Sequence, residues 1–334
     1  MNPPKVSDAD YINFLLASPT KFTCTEAARA QPDGTRAPSH DSFNRLLLRT
    51  PQDTGVLWSE GEPMVDKNGG ALVLDDTTLD KPYSKKIALV TNHWSGKHHR
   101  VVRGINIITL LWTDGEKLVP TDFRVYDKPF GGKTKNEHFS DMLLEAKKRG
   151  VNPEYVIFDS WYSSLDNLKL IGAIGSRWFT RLKENRQVIG GTEGGGQYRA
   201  VSELEIPEQG TAVDLKGYGA AKVFRIVRKD GEVRYWATDD LTMDAKKREG
   251  LESMGWGIEV YHRGIKQCCG IEKAQARRED AQRVHILLSL RAFLRLEANR
   301  LVRAVSWYEA KLSIIRGAIR TFLAYPTVKL VPNA

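Results

Sequence analysis

Three acidic residues stand where a carboxylate can do more than face water. Asp76 closes the short apolar run Ala71-Leu72-Val73-Leu74, with Asp75 just before it. Asp159 closes a second run, Tyr155-Val156-Ile157-Phe158, and Glu259 sits in the helical stretch from Trp256 to Lys266. Carboxylates at strand ends set oxygen ligands beside a sheet, and hard divalent cations such as Mg²⁺ prefer such oxygens while keeping several waters. Two ions about 3.5–4 Å apart can activate an attacking oxygen and stabilise a leaving one in phosphodiester chemistry. Three acids supply negative charge for such a pair without His or Cys. Singly, a strand-end Asp is a turn or cap residue and a helical Glu is a solvated face. Their joint placement is what points to a site.

The elements that must carry these residues follow from pattern. Strands are expected over Ala71–Leu74, Val101–Trp112 and Val119–Tyr126, the last two joined by the Thr113-Asp114-Gly115 turn. A helix over His138–Lys148, the strand Tyr155–Phe158, a helix over about Ser164–Ile174 and the strand Trp178–Leu182 follow. This is a meander, then helix, strand, helix and strand. From residue 186 to 240 the texture changes: Gly190-Gly191 and Gly194-Gly195-Gly196 punctuate it, and Lys222–Arg228, Asp230-Gly231 and Val233–Thr238 read as a hairpin. Helices resume near Met243 and continue almost to Pro326. In front of this core, residues 7–50 read as three short helices. Ser7 caps the first, Thr23 opens the second in a capping box with Glu26, and Ser39 caps the third. Asp33-Gly34 and Pro38 break the chain between them. The third, His40–Arg49, turns Phe43, Leu46 and Leu47 inward and Asn44, Arg45 and Arg49 outward, a helix-turn-helix pattern suited to DNA. Its plain alternative is a helical cap on the next domain. Pro51–Asp66 reads as a linker.

Composition narrows the partners. The chain has 334 residues, 41% of them hydrophobic and 27% charged, which excludes disorder, collagen and low-complexity classes for the whole chain. Lys plus Arg number 50 against 41 acids, a net charge of +9 that suits a polyanion. Three cysteines, Cys24, Cys268 and Cys269, build no disulfide framework and show no C-x-x-C spacing, consistent with a reducing interior. The first residues lead into no long apolar segment, and the run near Ile107–Trp112 is too short to span a bilayer, so no membrane role is expected. Lys97, His98, His99, Arg100 and Arg103 form a basic stretch that could line a channel for nucleic acid. The His98-His99 pair is not a convincing metal site.

Taken in order, these segments resemble DDE transposases of the insertion-sequence 4 superfamily, most closely the insertion-sequence 701-like branch. Leu72-Val73-Leu74-Asp75-Asp76-Thr77-Thr78 resembles the first-aspartate motif, which assigns Asp76 rather than Asp75. Tyr155 to Tyr162 resembles the second-aspartate motif, and Trp256-Gly257-Ile258-Glu259 followed by Lys266 resembles the glutamate motif. Trp178-Phe179-Thr180-Arg181-Leu182-Lys183 looks like the strand before the family's inserted β-region. At the spacing where the family carries Tyr and Arg upstream of the Glu, this chain has Glu252 and Gly255, while Tyr261 and Arg263 lie downstream.

The resemblance implies an α/β fold: an RNase H-like mixed sheet core with an inserted β-rich subdomain, an N-terminal helical, helix-turn-helix-like domain and C-terminal helices. The expected divisions are 1–60, a first core part 68–185, an insertion 186–242, the Glu-bearing helix 243–280 and a helical region 281–334. It implies Asp76, Asp159 and Glu259 as catalytic metal ligands for two Mg²⁺ ions, with Mn²⁺ substituting. It implies cleavage of double-stranded DNA at terminal inverted repeats, then strand transfer into target DNA. Expected DNA contacts are Arg181, Lys183, Arg263 and Lys266, with Asn44 and Arg45 on the third helix. Arg234 and Trp236 share one face of the hairpin, which suits a stacked base near a phosphate, although a core Trp is the simpler reading. A homodimer on DNA and a cytoplasmic, nucleoid-associated location complete the expectation. Two other readings fit the same sequence. A non-catalytic DNA-binding descendant would bind DNA indifferently to Mg²⁺, and a metal-dependent nuclease would cut without joining ends.

Overall fold

The computed structural model describes residues 4–32, 37–95, 99–127, 131–190 and 196–327. The Asp33-Gly34 break, Lys97 and His98 of the basic stretch, and Gly191, Gly194 and Gly195 lie outside them. In chain order the helices are α1 (Asp8–Ala17), α2 (Cys24–Arg29), α3 (His40–Arg49), α4 (Thr54–Gly61), α5 (Lys135–Lys148), α6 (Leu165–Ala173), α7 (Ala245–Cys268), α8 (Glu279–Arg303) and α9 (Trp307–Ala324). The strands are β1 (Ala71–Asp80), β2 (Thr91–Ser95), β3 (Arg100–Thr113), β4 (Val119–Tyr126), β5 (Tyr155–Phe158), β6 (Arg177–Leu182), β7 (Gln187–Gly190), β8 (Arg199–Ala200), β9 (Thr211–Leu215), β10 (Gly219–Val227) and β11 (Val233–Thr238).

The chain divides into two compact units. One holds residues 54–82 and 90–262, and it contains every strand. Its centre is β1, antiparallel to β3 on one side and parallel to β5 on the other; β4 pairs with β3 and β6 runs parallel to β5. The order β4-β3-β1-β5-β6 is that of an antiparallel meander followed by two parallel crossovers, as the RNase H-like expectation requires. Crossovers need long connections, which α5 and α6 supply. β1 is longer than the four apolar residues suggest, because Asp75, Asp76, Thr77 and Thr78 continue the ladder opposite β3 down to the pair Asp80–Gly104. At Gly104 a side chain would meet the Leu79 carbonyl oxygen at 2.4 Å, so the two strands approach there as only glycine permits.

Residues 186–242 do not form a separate sheet. β11 pairs antiparallel with β6, and β10, β9, β7 and β8 follow outward, so this β-region extends the core sheet. The hairpin β10–β11 turns at Asp230-Gly231, where Gly231 takes φ 88°. The segment read as a linker contains a helix instead: α4 buries Leu57 and Trp58, and Arg149 lies 5.5 Å from the Trp58 ring. Two large apolar groups on so short a stretch outweigh the flanking Pro and Gly signals.

The other unit joins residues 1–53, 83–89 and 263–334. The three N-terminal helices form as expected and pack with the C-terminal ones: α1 and α3 rest on α8, and α9 contacts α1 and α8. Ser7 completes a capping box with Asp10, and Thr23 accepts from the Glu26 amide, whereas Ser39 makes no side-chain cap bond. α8 is buried along most of its length, which its arginines had obscured; Arg291 pairs with Asp8, and Arg300 pairs with Glu297. Lys311 donates to the carbonyls of Leu15, Leu16 and Cys268 at 2.9–3.2 Å, satisfying helix-end acceptors with one buried ammonium. Cys268 and Cys269 are buried and free. Among the described residues no helix is long and apolar enough to cross a membrane.

Candidate active site

The site begins with strand register. In the parallel pair β1–β5, Leu74 lies opposite Phe158, so Asp75 and Asp159 follow from paired positions on neighbouring strands. All four residues of β5 are buried, as are Ala71 to Leu74 of β1, and the chain becomes part-exposed at the acids. Successive strand side chains face opposite sides, so Asp75 and Asp76 take different surroundings although they are neighbours.

Asp76 is held by three donors. Lys135, in the first turn of α5, donates its ammonium to Oδ2 at 2.7 Å, Asn106 of β3 donates to the same oxygen at 2.7 Å, and the Tyr162 hydroxyl donates to Oδ1 at 2.8 Å. Burial pushes the Asp76 carboxyl up. The charge and hydrogen bond of Lys135, with the bonds from Asn106 and Tyr162, outweigh that and hold it below the usual carboxylate range. Asn106 and Tyr162 are themselves buried, so the carboxylate is fixed from behind. Lys135 Nζ also lies 5.4 Å from the Tyr126 ring and 5.8 Å from the Trp161 ring.

Asp75 shows the opposite balance. Burial raises its carboxyl well above the usual range, and the charges of Asp76, Asp159 and Glu259 raise it further. The carboxylates from β1, from the end of β5 and from α7 therefore lie within one another's electrostatic reach. His262, one turn beyond Glu259 on α7, places Nδ1 4.0 Å from Asp75 Oδ2. Asp159 is raised by burial; the Trp161 backbone N–H, donating to Oδ1 at 2.8 Å, works against this, while the charge of Asp76 adds to it. Glu259 is exposed on its helix.

These four carboxylates are hard oxygen donors of the kind a divalent ion takes. As the side chains stand, no three Asp, Glu, His or Cys groups among the described residues converge on one point. At Asp76 the positive charge is supplied by Lys135. Asp75, Lys135, Asn106 and Tyr162 were not singled out from sequence. The Asp75-Asp76 pair and Tyr162 stood inside the motifs, but nothing in the spacing marks a lysine on α5 or an asparagine in mid-strand.

The residues expected to touch DNA are dispersed. Arg181 and Lys183 lie on and just after β6, near Asp159, whose environment includes the Arg181 charge. Lys183 is exposed, its Nζ 5.4 Å from the Trp161 ring. Trp236 takes the simpler of its two readings, a core indole: it is 8% exposed and its ring stacks on Phe179 at 4.7 Å and 2°, with Arg181 5.9 Å from its centroid. A buried, already stacked indole offers no face to a base. Arg234 reaches Glu232 at 2.6 Å. In the helical unit Asn44 and Arg45 are exposed on α3, Arg263 is exposed, and Lys266 pairs with Glu272 at 3.1 Å.

The two positions that depart from the family spacing have structural work of their own. Glu252 pairs with Arg248 at 3.0 Å and Arg228 at 3.6 Å. At Gly255 a side chain would meet Ile157 of β5 at 3.0 Å, and at Gly257 it would meet Leu118 at 2.8 Å. Glycine at both lets α7 lie close against Ile157 and Leu118, and a side chain at 255 would require Ile157 to shift.

A family model described as "DDE superfamily endonuclease" matches residues 10–194, more than half of the chain and including both aspartate motifs. The chain belongs to the DDE superfamily of endonucleases. A second model, described as "Archaeal putative transposase ISC1217", matches residues 127–305 of this DDE endonuclease and takes in Asp159 and Glu259. Among solved structures, the piggyBac transposase in its synaptic complex with hairpin DNA is similar over 98% of this chain and 74% of that one, with TM-score 0.54 and 11% identity. The likeness is one of fold. The Mos1 strand transfer complex and the Drosophila P element transposase strand transfer complex give TM-scores of 0.20 and 0.29, at 9% identity each. The first spans 54% of this DDE endonuclease and 58% of its own chain, the second 89% and 65%. No curated protein matches the chain.

Proposed function

We propose that this DDE endonuclease is the transposase of an insertion sequence of the insertion-sequence 701-like branch. It cuts double-stranded DNA at the terminal inverted repeats of its own element and joins the freed 3′-OH ends to target DNA. The observation that supports the reading is the register that sets Asp75 of β1 beside Asp159 at the end of β5, with the part-buried Asp75 carboxyl raised by burial and by the charges of Asp76, Asp159 and Glu259. Like charges brought together at a sheet end, on a basic chain, suit divalent cations and a polyanionic substrate.

Asp76, Asp159 and Glu259, with Asp75 beside them, would hold Mg²⁺, with Mn²⁺ substituting. Two such ions would lower the pKa of the attacking water or 3′-OH and stabilise the leaving 3′-oxygen. The chain's own contribution is orientation. Asn106 and Tyr162 fix the Asp76 carboxylate, and the Trp161 amide fixes Asp159. Lys135 neutralises Asp76 and draws a cationic edge to the site, which Arg181 and Lys183 extend toward the phosphate backbone. The helical unit, through Asn44 and Arg45 of α3, reads the element's ends. Two ends brought together imply a homodimer on DNA.

The test is cleavage and joining of oligonucleotide duplexes carrying the inverted repeats that flank the reading frame, in Mg²⁺. Asp75→Asn, Asp76→Asn, Asp159→Asn and Glu259→Gln are run in parallel. The reading requires end cleavage by the native chain and joining of precut ends to a plasmid. Loss of both activities in Asp159→Asn and Glu259→Gln is expected, with DNA binding retained. Cleavage that persists in either variant overturns the site. Cleavage without joining leaves a nuclease, and binding indifferent to Mg²⁺ with no cleavage leaves a DNA-binding protein.

A further inference from the structure

Trp161 stands out on the same unit. It is 59% exposed, a high value for an indole, and it follows Asp159 by two residues in the 3-10 turn Ser160–Tyr162. Asp159 fixes that turn by accepting from the Trp161 amide, which sets where the indole leaves the backbone. Two ammonium groups lie near the ring, Lys183 at 5.4 Å and Lys135 at 5.8 Å. The indole also lines a cleft of about 640 Å³ together with Ser160, Lys183, Arg186 and Lys216. None of these three cations has a carboxylate partner among the described residues, and one terminal nitrogen of Arg186 is buried without a hydrogen-bond partner. An aromatic face, basic side chains around the cleft it lines and room for a planar group are the parts of a nucleic-acid strand site.

We propose that this cleft takes one nucleotide of an unpaired DNA strand, its base stacked on Trp161 and its phosphates met by Lys183, Arg186 and Lys216. The site is distinct from Trp236, which is buried and stacked on Phe179. It lies next to Asp159, so a strand seated there has its backbone led past the acids. The inference rests on the reading of the chain as a DNA-cutting enzyme and adds to it a preference for single-stranded character beside the cut.

The experiment uses the full chain with Ca²⁺ in place of Mg²⁺. It compares binding of a blunt duplex with that of the same duplex carrying a short 3′ overhang that contains 2-aminopurine. Native protein is expected to bind the overhang more tightly and to quench the 2-aminopurine. Trp161→Ala should weaken overhang binding by about tenfold and abolish the quench, with blunt-duplex binding changed by less than about twofold. Trp161→Phe should retain most of both signals, and Lys216→Glu should weaken the overhang alone. Equal affinity for overhang and blunt duplex in the native protein overturns the inference and leaves the DNA-cutting reading intact. So does a Trp161→Ala variant that loses neither or both equally. Failure to bind either duplex at low salt overturns both.

Discussion

The ammonium of Lys135 reaches Asp76 Oδ2 at 2.7 Å across 59 positions of sequence, and the two side chains are 18% and 19% exposed. One strand position away, Asp75 faces acids instead. The same dipeptide thus carries one carboxyl held down and one pushed up. The site is charge-balanced at one of its two β1 carboxylates and strained at the other.

Removing the lysine should expose that balance. Lys135→Met leaves a largely buried carboxylate without its cation, and the folded state should lose about 1–3 kcal/mol, less than the about 3–5 kcal/mol of a fully buried pair because both side chains keep some exposure. A double-mutant cycle with Asp76→Asn, read by urea unfolding without divalent ions, should return most of that loss. A cycle with no coupling between the two would show that the contact contributes nothing.

Asp75→Asn should act in the other direction. It removes a buried charge from among three like charges, so metal-free protein should gain about 1 kcal/mol while cleavage is lost, a stability–function trade of the kind active sites show. Thermal unfolding in a chelator, beside a cleavage assay, checks both halves. A destabilised Asp75→Asn would mean that the carboxylate is supported by contacts rather than opposed.

Acid stability should depend on Asp240. Burial raises its carboxyl, but hydrogen bonds from Thr242 and Tyr155 and the charge of Arg177 prevail and bring it down to about 2. A carboxyl depressed on folding contributes stability that is fully present above its unfolded value of about 3.9 and is lost as pH falls toward about 2. The contribution should be on the order of 1–2 kcal/mol. Asp240→Asn should flatten the stability profile between about pH 5 and pH 2 relative to the native chain, measured by denaturant midpoints at each pH.

Trp236 should behave as core. Trp236→Ala should cost about 3–5 kcal/mol through lost stacking on Phe179 and the cavity left behind. Trp236→Phe keeps an aromatic ring on Phe179 and should leave DNA affinity within about twofold of native. A large loss of DNA affinity in a folded Trp236→Phe protein would restore the base-contact role read from the hairpin's face pattern.

Much of the strand-bearing unit was legible. β4 and β5 begin and end where alternation and apolar runs predict, and the order of meander, helix, strand, helix and strand appears as read. Those elements announce themselves because each buries a continuous apolar stretch. β2 was not legible, since Thr91-Asn92-His93-Trp94-Ser95 forms a strand only by pairing with the start of β3. The same holds for β7 and β9, short strands defined by their neighbours. At the candidate site, Asp159 and Glu259 stand out in the sequence by position, and the charges of both act on Asp75. Choosing between Asp75 and Asp76 was not possible there, because facing is set by register with β3 and by where α5 brings Lys135, neither of which leaves a local mark.

The pairing of Leu74 with Phe158 has a last consequence. Adjacent strands stand about 4.8 Å apart whatever lies between them in sequence, so the spacing of the first two acids is a property of the ladder alone. Extra residues grafted into the β3–β4 turn would leave that spacing unchanged. A single-residue slip of β5 would swing its acid to the opposite side of the sheet. The enzyme can therefore remodel what it grips while its blade keeps one gauge.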